Sequence, residues 1–237
     1  MAKKIACSPS SSSHNFLSKT RTRSTPKLKA FEADLLDDSK RLVIASGLPF
    51  TGKTATAMHS GISRVCEGVY QKLIVIRPII QHAYGFLPGG NEEKMQFLLR
   101  QAKVYANEYA QGGWIMMQQQ GMVETYPADQ LQGIRFADSF TIVDEAQNIS
   151  QEETFKILTR IGEGGKFVLL GDTSKGQENK RIKDNNIINF CIDRFTTGND
   201  EQSIHPAIAF HSFYEESDLL GDDFTKFLIT TLMKDFL

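Results

Sequence analysis

Gly47-Leu48-Pro49-Phe50-Thr51-Gly52-Lys53-Thr54 fits the pattern G-x-x-x-x-G-K-[ST] at every fixed position. No other feature restricts the fold as much, because such a loop works only between a buried strand and a helix. Residues 41–46 (RLVIAS) before it are short, apolar and β-branched, and residues 54–69 after it read as a helix. The glycines have a geometric reason: they allow conformations and close approaches that a Cβ forbids. The loop amides then curl around a β-phosphate, and the helix adds its positive end. On this reading residues 47–54 all bind nucleotide. Lys53 carries a cation to the β- and γ-phosphates, and the Thr54 hydroxyl is a ligand for Mg²⁺. A mere glycine turn is the bland alternative, and the flanks argue against it.

The rest of the chain supplies matching elements. A helix is expected from about Leu28, with Phe31, Leu35 and Leu36 at helical spacing, then a turn at 37–40. Residues 72–76 (KLIVI), Ser139–Val143 (SFTIV), 166–170 (KFVLL) and 207–213 read as further strands. Residues 91–111, 151–161, Ile187–Phe195 and 223–237 read as helices. Strands alternating with helices imply an α/β fold, a mostly parallel sheet with helices on both faces. Ligands of such sheets sit at the carboxyl ends of the strands.

Asp144-Glu145 closes the strand SFTIV, which places Asp144 to hold Mg²⁺ and Glu145 to polarise an attacking water as a general base. An acidic pair at a strand end is usually only solvated, but beside a phosphate loop it acquires a partner. Kinase or GTPase chemistry stays open on these two motifs alone. Asp144-Glu145-Ala146-Gln147 resembles the DEAQ-type box of helicase-like ATPases, in which Gln147 would relay the γ-phosphate state. Gly171-Asp172-Thr173, ending KFVLL, resembles the third helicase motif, with Asp172 beside the nucleotide; Ser174-Lys175 stands where that motif continues to a Gln.

Ile76-Arg77-Pro78, Gly85-Phe86-Leu87-Pro88-Gly89, Glu93-Lys94, Arg100, the run from Ile142 to Asn148, and Leu158-Thr159-Arg160-Ile161-Gly162 together resemble the PhoH family of phosphate-starvation-inducible ATPases. The likeness runs from about residue 40 to the C-terminal helix. It implies a RecA-like P-loop NTPase core, ATP and Mg²⁺ as cofactors, ATP hydrolysis, and a homo-oligomeric ring, expected to be hexameric. Action on RNA or single-stranded DNA follows from the same likeness. Arg160 matches the family residue and is the first choice for the arginine that completes the site, with Arg77 the alternative within the same subunit. The chain departs from the family in lacking an adenine-reading Gln near Leu28. It keeps only a displaced Arg135 where an Arg-Gly-Arg segment stands, and has Asp218-Leu219-Leu220-Gly221 where a terminal arginine is common.

Charge adds one further expectation. Residues 1–29 carry seven Lys and Arg and no acid, so a net −1 over 237 residues hides +7 there and −8 elsewhere. With its serines the stretch 1–27 reads as a basic arm, either attracting nucleic-acid phosphates or only solubilising, ahead of an ATPase domain over 28–237. No run approaches the roughly 20 apolar residues of a membrane span, so no membrane partner is expected and a cytoplasmic setting is. Cys7, Cys66 and Cys191 read as reduced thiols. Residues 114–120, with Trp114, Met116 and Met117, read as a mobile, partly apolar segment. Three functions are weighed: an ATP hydrolase, a nucleotide-sensing module without useful hydrolysis, and a small-molecule kinase. The last would have a poor lid in 172–181, which offers only Lys175, Lys180 and Arg181.

Overall fold

The computed structural model describes residues 24–78, 100–110, 112–174, 182, 184–197 and 202–233. Leu42–Gly47 (β1), Lys72–Arg77 (β2), Val123–Pro127 (β3), Ser139–Val143 (β4) and Lys166–Gly171 (β5) are strands of one sheet. Thr196–Thr197 (β6) and Gln202–Ser203 (β7) form a small antiparallel ribbon, and Ile208–Phe213 (β8) completes the large sheet. Its order is β3-β2-β4-β5-β1-β8, with every neighbouring pair parallel. The α/β architecture expected of a P-loop core is therefore present.

Alternation along the strands divides the interior into two cores. Val43 and Ala45, Leu73 and Val75, Phe140 and Ile142, Val168 and Leu170 point to one face. There they meet helices Pro26–Leu36 (α1), Lys53–Cys66 (α2), Arg100–Tyr109 (α3) and Gly113–Gln119 (α4). Leu42 and Ile44, Ile74 and Ile76, Val143, Phe167 and Leu169 point to the other, against Gln151–Leu158 (α5) and Ile187–Phe195 (α6). A strand covered on both faces has no solvent side, which is why these runs are mostly apolar and why even Ser139, Thr141 and Lys166 in them are buried. Each such Leu, Ile or Phe contributes about 1.5–3 kcal/mol by burial. The last helix, Asp223–Met233 (α7), seats Ile229 against Leu48 and Leu219.

Local chemistry sets the boundaries. Thr25 caps α1 through a bond from Leu28 N, with Pro26 in the first turn. Ser150 and Glu153 form a capping box at the start of α5. At the other end of α1, the fully buried Lys166 ammonium donates to Asp34 O, Leu35 O and Asp37 O at 3.0, 2.6 and 2.8 Å.

The structure departs from the sequence expectations at several points. Residues 114–120 are not a mobile segment: α4 buries Trp114 and Met117, whose spacing of three puts both on one helical side. Strand β3 had no counterpart in the sequence reading, because VETYP is an edge strand. Glu124 there faces Lys72 and Tyr126 rather than core, and Pro127 closes it where no ladder bond is needed. Cys191 is a free buried thiol. Helix α5 also stops at Leu158, short of the expected 161, and α2 ends at Cys66 rather than 69. Among the described residues no helix is long and apolar enough to cross a membrane. Residues 1–23, most of the basic arm, lie outside the described residues, as do 79–99, 175–181 and 234–237.

Candidate functional site

The phosphate-type loop leaves β1 at Gly47, where a Cβ would stand 2.4 Å from both Cβ and O of Phe213. Only glycine fits. Leu48 N donates to Phe213 O at 2.9 Å, and Leu220 N donates to Phe50 O at 2.9 Å, so the loop is fastened on both sides. Phe50 (φ 61°) and Gly52 (φ 84°) both adopt the left-handed conformation, which turns the chain into α2. Helix α2 begins with no side-chain cap and no acid in its first turn, so its amides and positive end face the loop.

Inside that curve the Lys53 ammonium donates to Gly47 O at 2.8 Å, Leu48 O at 2.7 Å and Thr51 Oγ1 at 2.9 Å. Burial pushes its pKa down to about 8, against the attraction of Asp172, Asp144 and Glu145.

The acids arrive from β4. Thr54 Oγ1 donates to Asp144 Oδ1 at 3.3 Å, which brings together the two oxygen donors expected to hold Mg²⁺. Asp144 is buried, and Arg77 at the end of β2 donates to its Oδ2 from Nε at 3.0 Å and again from Nη2. This carboxylate is thus built to sit against positive charge. Glu145 turns away from the strand in a left-handed conformation, φ 57°. Its carboxyl is pushed above the usual range by burial and by Asp144, and is opposed by the bond from Gln147. That bond runs from Gln147 Nε2 to Glu145 Oε2 at 2.9 Å, while Gln147 Oε1 accepts from Asp172 N at 3.2 Å. Gln147 therefore links the general-base candidate to the end of β5. Asp172 accepts from Ser174 N at 2.9 Å through Oδ1, and its buried Oδ2 has no partner among the described residues.

Strand order makes this convergence possible. Because β5 lies between β1 and β4, its terminal loop at 171–174 falls between the phosphate loop and the acids. A cavity of about 430 Å³ opens there, and Gly47, Pro49, Phe50, Thr51, Gly52, Lys53 and Thr54 line it together with Asp144, Glu145, Gln147 and Asp172. Leu48 is the exception within the loop. Its side chain is buried with Leu219 and Ile229, and only its main chain faces Lys53.

Arg160 lies elsewhere. Its carbonyl accepts from Phe136 N just ahead of β4, and the turn after it is held by Arg41, which precedes β1. That is the amino edge of the sheet, a strand length of roughly 15 Å or more from the loop at the carboxyl edge. Within one chain Arg77, not Arg160, is the arginine at the acids. The Gly85–Gly89 and Glu93-Lys94 matches, and Lys175, Lys180 and Arg181, lie outside the described residues.

Two neighbours escaped the sequence reading. Tyr105 on α3 lines the cavity, stacked on Tyr109 one helical turn along. Tyr214, just after β8, bonds to Ser46 and Thr173. Neither position carries a motif; the i, i+4 tyrosine pair was the one available hint for the first.

Fold and site define an α/β protein of the P-loop type. A family profile described as PhoH-like protein matches residues 23–199, and the chain belongs to that family. It is 32% identical over 183 residues to Protein PhoH2 of Bacillus subtilis, covering 74% of this chain and 41% of that protein. It is 34% identical over 154 residues to Protein PhoH2 of Mycolicibacterium smegmatis, covering 62% and 35%. A PhoH-like protein of Bacillus subtilis is 30% identical over 149 residues, covering 60% and 46%. The matched region spans less than half the length of each of these relatives.

Proposed function

We propose that the chain binds ATP with Mg²⁺ and hydrolyses it. The observation that carries this reading is the convergence, on one cavity, of a lysine-bearing amide loop, the Thr54–Asp144 oxygen pair and the Glu145–Gln147–Asp172 chain of hydrogen bonds. The loop amides and Lys53 take the β- and γ-phosphates. Thr54 and Asp144 hold the metal, which supplies neutralisation of phosphate charge when bound. Glu145 accepts a proton from the attacking water, a task suited to a carboxyl whose pKa is raised toward the working pH. Gln147 fixes that carboxyl and connects it to Asp172. Phosphate release should be followed for the natural chain, Lys53→Ala and Glu145→Gln; release by the natural chain no greater than by these variants would reject the reading.

The PhoH-like assignment also supports assembly into a homo-oligomeric, hexameric ring in the cytoplasm, with a basic arm over 1–27 ahead of an ATPase domain over 28–237. In a ring the amino-edge Arg160 of one copy would enter the site of the next as an arginine finger. Phe50, Phe224, Phe227, Leu228 and Leu232 are exposed apolar side chains on the loop and on α7, and they favour such a contact. Mass measurement with ATP and Mg²⁺ tests the ring. Coupling to RNA or single-stranded DNA is tested by stimulation of phosphate release at low salt. A second reading, a nucleotide-sensing module, is favoured by the distance of Arg160 from its own site. Bound nucleotide without release would select it.

A further inference from the structure

Residues 213–220 carry no phosphate-binding pattern, yet Phe213 and Leu220 both touch the loop. Phe213 O accepts from Leu48 N, and Phe213 Cβ closes the space beside Gly47. Leu220 N donates to Phe50 O, and its side chain closes the space beside Gly52. Between them the Tyr214 phenol oxygen lies 2.5 Å from Ser46 Oγ and 2.8 Å from Thr173 Oγ1, and accepts from Thr173 N at 2.9 Å. Ser46 immediately precedes Gly47, and Thr173 immediately follows Asp172. One hydroxyl therefore ties the start of the phosphate loop to the loop that ends β5.

We propose that Tyr214 is a positioning residue that fixes residues 171–174 against the phosphate loop, so that the site distinguishes a nucleoside triphosphate from a diphosphate. This deepens the nucleotide reading above and rests on it. The phenol accepts from the Thr173 amide and shares protons with the two hydroxyls, which satisfies all three partners with one atom. The loop it holds carries Asp172, whose buried Oδ2 has no partner among the described residues, and whose charge acts on Lys53. Slack at Thr173 would displace that carboxylate and the Asp172 amide that Gln147 grips. Misplacement by about 1 Å can cost on the order of 100-fold in rate.

Tyr214→Phe removes the oxygen and little volume. Calorimetry with Mg²⁺ should compare ADP with an ATP analogue whose β–γ bridge resists hydrolysis, alongside phosphate release from ATP. The expected result is unchanged ADP affinity, a melting temperature lowered by only a few degrees, a triphosphate-to-diphosphate preference reduced about ten-fold, and kcat lowered about ten-fold or more at similar KM. Thr173→Val keeps the phenol and should lower kcat and preference in the same direction, and the double variant should be no worse than the worse single one. Should Tyr214→Phe fail to fold, Thr173→Val carries the same test. Natural kcat and preference in Tyr214→Phe would overturn the inference, as would a loss explained by melting temperature alone. If the natural chain releases no phosphate, hydrolysis fails separately and the affinity preference still decides the role of Tyr214. A natural chain that binds neither nucleotide sinks both.

Discussion

Replacing Lys166 by Met removes a charge with no exposed surface while keeping a stem of similar length. Three carbonyls at the end of α1 lose their donor, and each charge-assisted bond is worth about 1.5–3 kcal/mol. The opposing contribution is burial of the ammonium, which pushes its pKa from 10.5 down to about 8; a shift of that size corresponds to roughly 3 kcal/mol. The carbonyls outweigh it, leaving a loss of about 3 kcal/mol, or about 6–12 °C in melting temperature for a chain of this size. The pH dependence is more diagnostic than the size. Because the folded pKa lies below the unfolded one, the unfolded chain holds more protons between about 8 and 10.5. The natural chain therefore gains stability from this group as pH rises through that window. Lys166→Met lacks the gain, so its deficit should widen by roughly 1 kcal/mol between pH 7 and pH 9. Urea unfolding of both proteins at the two pH values measures this. No deficit at pH 7 refutes a buried ammonium as the clamp on α1, and a deficit that stays constant or narrows with pH refutes its lowered pKa.

Three further outcomes are expected. Gly47→Ala places a methyl 2.4 Å from Phe213; overpacking of this kind costs about 1–3 kcal/mol, and calorimetry should find nucleotide binding weakened at least about ten-fold. Gln147→Leu leaves Asp172 N and Glu145 without their shared partner, so single-turnover phosphate release should fall about 100-fold with nucleotide affinity near the natural value. Under the proposed ring, Arg160→Ala and Glu145→Gln chains, each inactive alone, should regain part of the activity when mixed, because an intact acid from one copy would meet an intact arginine from the next. No recovery on mixing would place the finger elsewhere.

The sequence was most legible where one residue type has one physical use. The strands SFTIV and KFVLL, mostly apolar, came out at or within a residue of their observed bounds, because a strand buried on both faces tolerates few polar side chains. The phosphate loop was legible for the same reason, since Gly47 and Gly52 stand where a side chain does not fit. Edge strand β3 was not, because Glu124 and Thr125 break its pattern, and neither was α4, whose seven residues give too short a period. Spacing also could not reveal that Leu48 points into the core or that Tyr214 closes on Ser46. Those contacts join segments more than 160 residues apart, and only the placement of β8 beside β1 brings them together.

The same topology separates the two arginines that the sequence left in competition. Parallel strands have all their carboxyl ends on one edge, so a residue ending a strand joins the site and a residue entering one does not. Arg77 ends β2 and bonds to Asp144, whereas Arg160 stands ahead of β5 on the opposite edge. The absence of other family arginines therefore does not strip the acids of a cation, because Arg77 supplies one from within the chain. It does mean that Arg160 can act on phosphate only across a boundary between copies. Under the hydrolase reading, turnover should rise more steeply than protein concentration through the range of assembly, while nucleotide binding per chain stays constant. Turnover strictly proportional to concentration across that range would assign the chemistry to the single chain, with Arg77 as the arginine at the acids among the described residues.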